Sequence, residues 1–195
     1  RGAAGRMGQL IDDLLAFSKT VEEHLGVLAK LFARLRRFNM TLGAKKSTFF
    51  AKSVGFLGHV VDTDGVRTDP AKCKAISEWE LPTSHKDMES ALGLFAYYRR
   101  FLPAYSKLER PLREKLANPA AWKKPHGTIT YSEEERNAFY RIRDALSKEP
   151  VLSHPDWDKP FELHCDAACK GGLGAVLTQR IEGIERVISY ASRAI

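Results

Sequence analysis

Two adjacent carboxylates interrupt an apolar run near the start of the chain, between Leu10 and Ser18. Because side chains alternate faces along a strand, an apolar strand that contains Asp12 and Asp13 must turn sharply there or offer both charges to a cation. A hairpin tip that binds a metal ion satisfies both demands, and an ordinary turn or helix cap accounts for either aspartate alone. The pattern leaves both interpretations open.

Helical periodicity follows this predicted hairpin. Thr20 and Glu23 have the spacing of a capping box, and apolar residues then recur at helical spacing until Gly43. A second helix is predicted from Asp69-Pro70 to about Trp79, where Asp would be the N-cap and Pro the first helical residue. Three further helices are predicted to begin at Ser84, at Ser106 and at the capping box formed by Ser132 and Glu135.

Strand composition occurs in two later regions. Residues 56–61 are predicted to form one strand, residues 62–65 a turn, and Val66 the start of the return strand. In residues 161–166, alternation places three apolar side chains on one face and Asp166 on the other. Strands at 173–179 and 185–190 are predicted to follow, although Asp166 would also suit a simple turn before the glycines. Residues 1–8, in contrast, lack the apolar strand expected to lead into the first hairpin.

Charge is distributed unevenly along the 195 residues. Residues 1–125 contain 22 basic and 13 acidic side chains, whereas residues 126–195 contain 9 and 11. A basic region joined to a nearly neutral one suggests a polyanionic partner for the basic region, and a solvated surface is the alternative.

Some classes of protein are disfavoured by the sequence. It has no apolar run of the roughly 20 residues needed to cross a bilayer and no signal-peptide pattern, so we expect an intracellular protein without a membrane partner. The three cysteines form no Cys-x-x-Cys pair, and the six histidines are not at zinc-ligand spacing.

Three segments carry a family resemblance. Residues 10–18 resemble the Tyr-x-Asp-Asp hairpin of reverse transcriptases, with Leu10 where the family usually has an aromatic residue. Residues 92–101, Leu-Gly-Leu-Phe-Ala-Tyr-Tyr-Arg-Arg-Phe, resemble the thumb signature of gypsy-type LTR retrotransposons. Residues 166–168 and 172–177 resemble the start of an RNase H domain, with Ala168 where Ser is common. Since the segments follow the family order, the chain is identified as similar to a gypsy-type, retrovirus-like polymerase.

This resemblance implies an α+β fold: the end of a reverse-transcriptase palm with a helical thumb, followed by a partial RNase H-like domain of mixed sheet plus helix. The implied boundaries are 1–68 for the palm with its primer-grip hairpin, 69–117 for the thumb or connection, 118–130 for a linker and 131–195 for the RNase H-like part. A sheet that lacks its remaining strands would expose an unpaired edge.

The resemblance also implies the residues of the sites. Asp12, Asp13 and Asp166 would be catalytic and would bind Mg²⁺ in two-metal sites, because hard cations prefer carboxylate oxygens. The implied primer-grip and thumb contacts to nucleic acid are Phe56, Leu57, Gly58, Tyr97, Tyr98, Arg99 and Arg100. His59 is interpreted as a surface or groove-edge residue rather than a ligand.

The implied activity is RNA-directed DNA synthesis with RNase H cleavage of the hybrid. The implied partners are an RNA·DNA hybrid or primer–template duplex and the rest of the polyprotein, in the cytoplasm or a virus-like particle. Both carboxylate sets are incomplete, since an upstream Asp strand, the fingers and the next RNase H ligand are not in the sequence. We therefore expect the isolated chain to be inactive. The alternatives are a non-catalytic nucleic-acid-binding module and a domesticated remnant.

Overall fold

The computed structural model describes residues 6–10, 12–122, 129–168 and 172–194. The chain forms two compact units, Arg1–Ala51 and Lys52–Ile195. Within the described ranges, none of the helices has both the length and the apolar character needed to cross a bilayer.

The first unit contains the predicted aspartate hairpin. Strand β1 (Arg6–Leu10) pairs antiparallel with β2 (Asp13–Phe17), and Leu10 lies opposite Asp13. Although residues 1–8 lack the apolar pattern expected of a leading strand, Arg6–Leu10 is a strand, because backbone pairing needs no apolar side chain. Ile11, in the turn, lies outside the described residues.

Helix α1 (Val21–Arg37) follows the hairpin. The Thr20 hydroxyl accepts a hydrogen bond from the amide of Glu23 at 3.2 Å, as predicted, but the Glu23 carboxylate accepts from the amide of Lys19 rather than from Thr20. The helix ends before the predicted stop at Gly43, and a 3₁₀ helix at Ala44–Lys46 follows. The buried residues of α1 are Val27 and Leu28.

The core of the second unit is helical. Its helices are α2 (Pro70–Ser77), α3 (His85–Tyr97), α4 (Tyr105–Ala117) and α5 (Glu133–Ser147). The predicted caps at Asp69 and Ser84 and the capping box at Ser132 are confirmed. The largest apolar side chains of α3 and α5 meet in one cluster, in which the Phe95 and Phe139 ring centroids are 5.6 Å apart.

A four-stranded antiparallel sheet in this unit has the order β3-β4-β5-β6. Its strands are β3 (Ser53–Phe56), β4 (His59–Asp62), β5 (Val66–Thr68) and β6 (Val151–Leu152). The prediction of one strand over residues 56–61 was wrong, because Leu57 and Gly58 form a turn between β3 and β4. The turn predicted at residues 62–65 is confirmed: the Asp62 carboxylate accepts hydrogen bonds from the amides of Asp64 and Gly65.

The third sheet comes last in the chain. Strands β7 (Glu162–Ala168), β8 (Gly172–Ile181) and β9 (Ile184–Arg193) are antiparallel and consecutive, as predicted. Of the apolar face predicted on β7, Leu163 is 63% exposed and Cys165 is exposed, so nothing in the described residues covers this side of the strand.

Helices and sheets occur in both units, which confirms the α+β class. The predicted domain boundaries stay a prediction. Residues 123–128 of the predicted linker lie outside the described residues, and a 3₁₀ helix forms at Pro119–Trp122 within its described part.

Candidate nucleic-acid interface

The turn between β3 and β4 has an unusual backbone. Leu57 has φ +50° and Gly58 has φ +68°, which are the two positive angles of a type I′ hairpin turn. Such turns favour Asn-Gly, and a non-glycine residue in the left-handed region costs about 1 kcal/mol. The sequence therefore places Leu57 in a strained conformation that surrounding contacts must maintain.

Those contacts come from the end of α3. Tyr97 donates its hydroxyl hydrogen to the carbonyl of Leu57, and Tyr98 donates to the carbonyl of Gly58 at 2.8 Å. A Cβ atom on Gly58 would lie 3.4 Å from the Tyr98 hydroxyl oxygen. The structure thus brings together the two segments that the sequence predicted separately as nucleic-acid contacts.

The two tyrosines differ in exposure. Tyr98 is 1% exposed, so in this structure it supports the turn and presents almost no surface, whereas Tyr97 is 50% exposed. Burial, followed by the neighbouring Tyr97, raises the pKa of Tyr98 to about 12. Its hydroxyl therefore remains a hydrogen-bond donor at neutral pH.

His59 is packed among these aromatic rings rather than lying at an open edge. Its ring stacks on Phe101, with centroids 5.6 Å apart and 23° between the planes. Its Nδ1 lies 2.8 Å from the Leu57 carbonyl oxygen, and because a carbonyl can only accept, Nδ1 carries the hydrogen. Burial lowers the pKa of His59, the bond to Leu57 raises it, and Arg100 lowers it, with a net decrease.

Two exposed guanidinium groups, those of Arg99 and Arg100, come directly after the two tyrosines in the chain. Arg99 and Arg100 open a 3₁₀ helix, Arg99–Phe101, immediately after the tyrosines, and both side chains are exposed. The guanidinium carbon of Arg100 lies 5.9 Å from the centre of the Phe101 ring, whose side chain is buried. Of the predicted hairpin contacts, Phe56 and Leu57 are half-buried.

The carboxylates predicted to bind metal lie in two places. Asp12 is in the turn of the first hairpin, Asp13 is the first residue of β2, and both are exposed. Asp166 is exposed on β7 opposite Gly174. None of the three belongs to a group of three or more candidate metal ligands within the part of the chain that the structure describes.

One such group does occur on the last sheet. Donor atoms of Glu162, His164 and Glu185 lie within 4.8 Å of one another. His164 Nε2 is 3.3 Å from the Glu185 carboxylate, and Arg180 is 3.6 Å from the carboxylate of Glu162. The side chains of these residues are 38–57% exposed, so a solvated ion-pair cluster accounts for the arrangement.

Sequence reasoning predicted the two contact segments but missed what joins them. It placed His59 at a surface or groove edge, and it interpreted residues 56–61 as one strand without recognising that Leu57-Gly58 is a turn. A Gly two residues after an apolar strand residue was the available signal, because Gly commonly occupies left-handed turn positions.

Comparison with known proteins identifies two segments of the chain. Residues 6–61 match the reverse transcriptase (RNA-dependent DNA polymerase) family model. Residues 131–195 match the model of an RNase H-like domain found in reverse transcriptase. Reverse transcriptase and RNase H families generally use divalent metal ions.

Relatives match almost the whole chain. The chain is 36% identical over 189 residues to the retrovirus-related Pol polyprotein from transposon opus of Drosophila melanogaster, covering 95% of the chain and 19% of that protein. It is 36% identical over 190 residues to the corresponding polyprotein from transposon gypsy of the same species, covering 95% and 18%. The chain thus spans less than a fifth of the length of these relatives.

Solved structures agree with this relationship. The foamy viral protease-reverse transcriptase in complex with RNA/DNA hybrid has a TM-score of 0.76 and 26% identity, covering 97% of this chain and 25% of that one. The same viral protein in complex with dsDNA has a TM-score of 0.74 and 26% identity, covering 97% and 38%. The fold of the present chain is therefore that of a reverse-transcriptase palm and thumb with an RNase H-like part. The chain belongs to the reverse transcriptase family, carries an RNase H-like domain of the kind found in reverse transcriptases, and has gypsy-type retrotransposon Pol polyproteins among its relatives.

Proposed function

We propose that this chain binds the backbone of an RNA·DNA hybrid or primer–template duplex through Arg99, Arg100 and the Leu57–Gly58 turn. The observation that carries the proposal is the pair of hydrogen bonds that joins the carbonyls of this turn to the two tyrosines at the end of α3, beside two exposed guanidinium groups. Guanidinium groups bind phosphate through paired, charge-assisted hydrogen bonds. The positive balance of residues 1–125 favours the same kind of partner.

The structural neighbours support this choice of ligand. The foamy viral enzymes were solved with an RNA/DNA hybrid and with dsDNA. In the parent polyprotein, we propose RNA-directed DNA synthesis and RNase H cleavage as the activities, and the cytoplasm or a virus-like particle as the location. The support is the retrovirus-related Pol polyproteins among the relatives.

We propose Mg²⁺ as the metal ion for both reactions. Asp12 and Asp13 would hold it in the polymerase site and Asp166 in the RNase H site, since exposed carboxylates offer the hard oxygen donors that Mg²⁺ prefers. When bound, paired ions activate the attacking oxygen and stabilise the leaving oxygen. This chain contributes two adjacent carboxylates to one site and one to the other, so each site needs further ligands.

A binding test addresses the proposal directly. Fluorescence anisotropy with a labelled RNA·DNA hybrid should show affinity that falls log-linearly with salt. The R99A/R100A variant should weaken binding. It should also reduce the magnitude of the slope of log K against log salt concentration by about 2, because two phosphate contacts are removed. The control R141A/K148A removes two exposed positive charges elsewhere and should have a smaller effect. Absence of binding at low salt, or equal losses in both variants, would refute the proposal.

A catalytic test separates the parent activity from that of this chain. We expect no primer extension and no hybrid cleavage by the isolated chain with Mg²⁺, because Asp12, Asp13 and Asp166 join no group of three or more candidate metal ligands in the described residues. Primer extension abolished by Asp12→Asn, or cleavage abolished by Asp166→Asn, would show that the present ligands suffice.

A second candidate is a binding module or domesticated remnant that has no catalytic role in any context. It is favoured by the absence of the three aspartates from any group of three or more metal ligands in the described residues. Supplying the upstream palm of a relative in the same chain distinguishes the two. Restored extension that depends on Asp13 supports the polymerase fragment, and persistent inactivity with intact hybrid binding supports the module.

A further inference from the structure

The Leu57–Gly58 turn is held in a conformation that its own sequence does not favour. Both central residues have positive φ, and the first of them is a leucine rather than the asparagine or glycine common in such turns. Backbone strain of this kind persists only where the surrounding structure maintains it, and it often occurs at ligand-binding sites. The contacts that maintain the positive φ angles of Leu57 and Gly58 therefore bear on the function of this turn.

Three side chains satisfy the two carbonyl groups of this turn. The Leu57 carbonyl accepts hydrogen bonds from the Tyr97 hydroxyl and from His59 Nδ1, and the Gly58 carbonyl accepts one from the Tyr98 hydroxyl. The ring centroids of Tyr97 and Tyr98 lie 5.2 Å and 5.5 Å from that of His59. We call Tyr97, Tyr98 and His59 the turn lock.

The residues of the turn lock are continuous with the exposed arginines. Tyr97 is the last residue of α3, Tyr98 is its C-cap, and Arg99 is the next residue along the chain. The backbone that positions the guanidinium groups is thus the backbone that carries the two hydroxyl donors. A shift of the tyrosines would displace the turn and the arginines relative to each other.

We propose that the residues of the turn lock are positioning residues, which hold the turn and the Arg99–Arg100 pair as one preorganised element that meets the nucleic-acid backbone. This inference rests on the function proposed above and adds the residues that set its geometry. Groups already held in place lose less conformational freedom on binding, so their contacts contribute more to affinity. The buried hydroxyl of Tyr98, with its pKa raised to about 12, remains a donor throughout the neutral range.

The test is the salt dependence of binding to a labelled RNA·DNA hybrid. Tyr98→Phe removes one hydroxyl and no charge. If the turn lock aligns the arginines, this variant should bind 3- to 10-fold more weakly and should also show a shallower salt dependence, because fewer phosphates are contacted. A purely structural role would reduce the folded fraction and leave the slope unchanged.

A matched control is available in the same unit. The Tyr131 hydroxyl also donates to a backbone carbonyl, that of Pro82, at 2.6 Å. Because this hydroxyl bonds to Pro82 and not to the Leu57–Gly58 turn, Tyr131→Phe should leave both the affinity for the hybrid and the slope of its salt dependence unchanged. If Tyr98→Phe fails to fold by circular dichroism, Tyr97→Phe replaces it, because Tyr97 is 50% exposed and its hydroxyl makes the equivalent bond to Leu57.

Double variants complete the design. Adding Tyr98→Phe to R99A/R100A should cause less than a 2-fold further loss, since the aligned groups are already absent. If R99A/R100A flattens the salt dependence but neither tyrosine variant does, the inference fails while the proposed function stands. If R99A/R100A itself leaves binding unchanged, the proposed function fails and the inference fails with it.

Discussion

The ammonium group of Lys115 on α4 lies 3.1 Å from the carboxylate of Glu135 in the first turn of α5. The side chain of Lys115 is 6% exposed and that of Glu135 is 18% exposed, and Lys115 also donates to the carbonyl of Thr130 at 2.7 Å. The same Glu135 oxygen accepts from the amide of Ser132 in the capping box. One ion pair therefore links the predicted thumb to the start of the predicted RNase H-like part.

Lys115→Met should destabilise the second unit by about 2 to 4 kcal/mol, because the Thr130 carbonyl loses this donor and the largely buried Glu135 carboxylate loses its ion-pair partner and keeps the bond from the Ser132 amide. Urea unfolding followed by tryptophan fluorescence measures the change. Arg113→Met is the control on the same helix: the Arg113 side chain in its ion pair with Glu109 is 50% exposed, so we expect a loss below about 0.5 kcal/mol. Equal losses in the two variants would contradict the role assigned to Lys115.

Gly65→Ala should disrupt the junction of β5 with β6. Gly65 has φ +154°, and an added Cβ would clash with the carbonyl oxygen of Leu152. Overpacking against backbone, together with the unfavourable φ, predicts a loss of about 2 to 5 kcal/mol in the free energy of unfolding. Gly55→Ala on β3 is the control, since its Cβ would meet nothing within 4 Å. A G65A protein as stable as the wild type would contradict the close approach of Gly65 to the Leu152 carbonyl.

Acidification should weaken the fold through His59. Burial lowers its pKa below the ordinary value of 6.5, so between the two values the unfolded chain binds more protons than the folded one. The stabilising contribution of neutral His59 is complete above pH 6.5 and is lost as the pH falls through this window. The stability advantage of the wild type over His59→Gln should therefore shrink on acidification. An advantage that is constant from pH 7.5 to 5 would contradict this.

Ser192→Ala should destabilise the start of α4. The helix has Ala104 as its N-cap, in a left-handed conformation and without a side-chain cap. The amide of Ser106 donates instead to the hydroxyl of Ser192 on β9 at 2.9 Å. Loss of this substitute cap should cost about 1 kcal/mol in thermal unfolding, whereas Ser53→Ala at the exposed end of β3 should change stability by less than about 0.5 kcal/mol.

Local chemistry was sufficient to predict the helices of the second unit from the sequence. Asp69, Ser84 and Ser132 cap the helices predicted for them, since a short polar side chain that satisfies the amide two or three residues later acts within one turn. The turn at residues 62–65 was predictable for the same reason, because the Asp62 carboxylate accepts from amides two and three residues later, whereas the aspartate hairpin was recognisable from its resemblance to a known motif. In the candidate interface, Arg99 and Arg100 were recognisable from their place in the thumb signature.

Contacts between residues far apart in the sequence lay beyond such reasoning. The turn at Leu57-Gly58 depends on hydroxyl groups 40 residues away, and a leucine in that conformation contradicts its own local preference. The cap from Ser192 to Ser106 spans 86 residues. Likewise, only tertiary packing separated the buried Tyr98 from the exposed Tyr97 beside it. The sequence alone determined the family, the helix starts and the candidate residues, because these depend on residue type and near neighbours. Tertiary structure decided which of those residues meet, because only packing brings distant donors to a particular carbonyl.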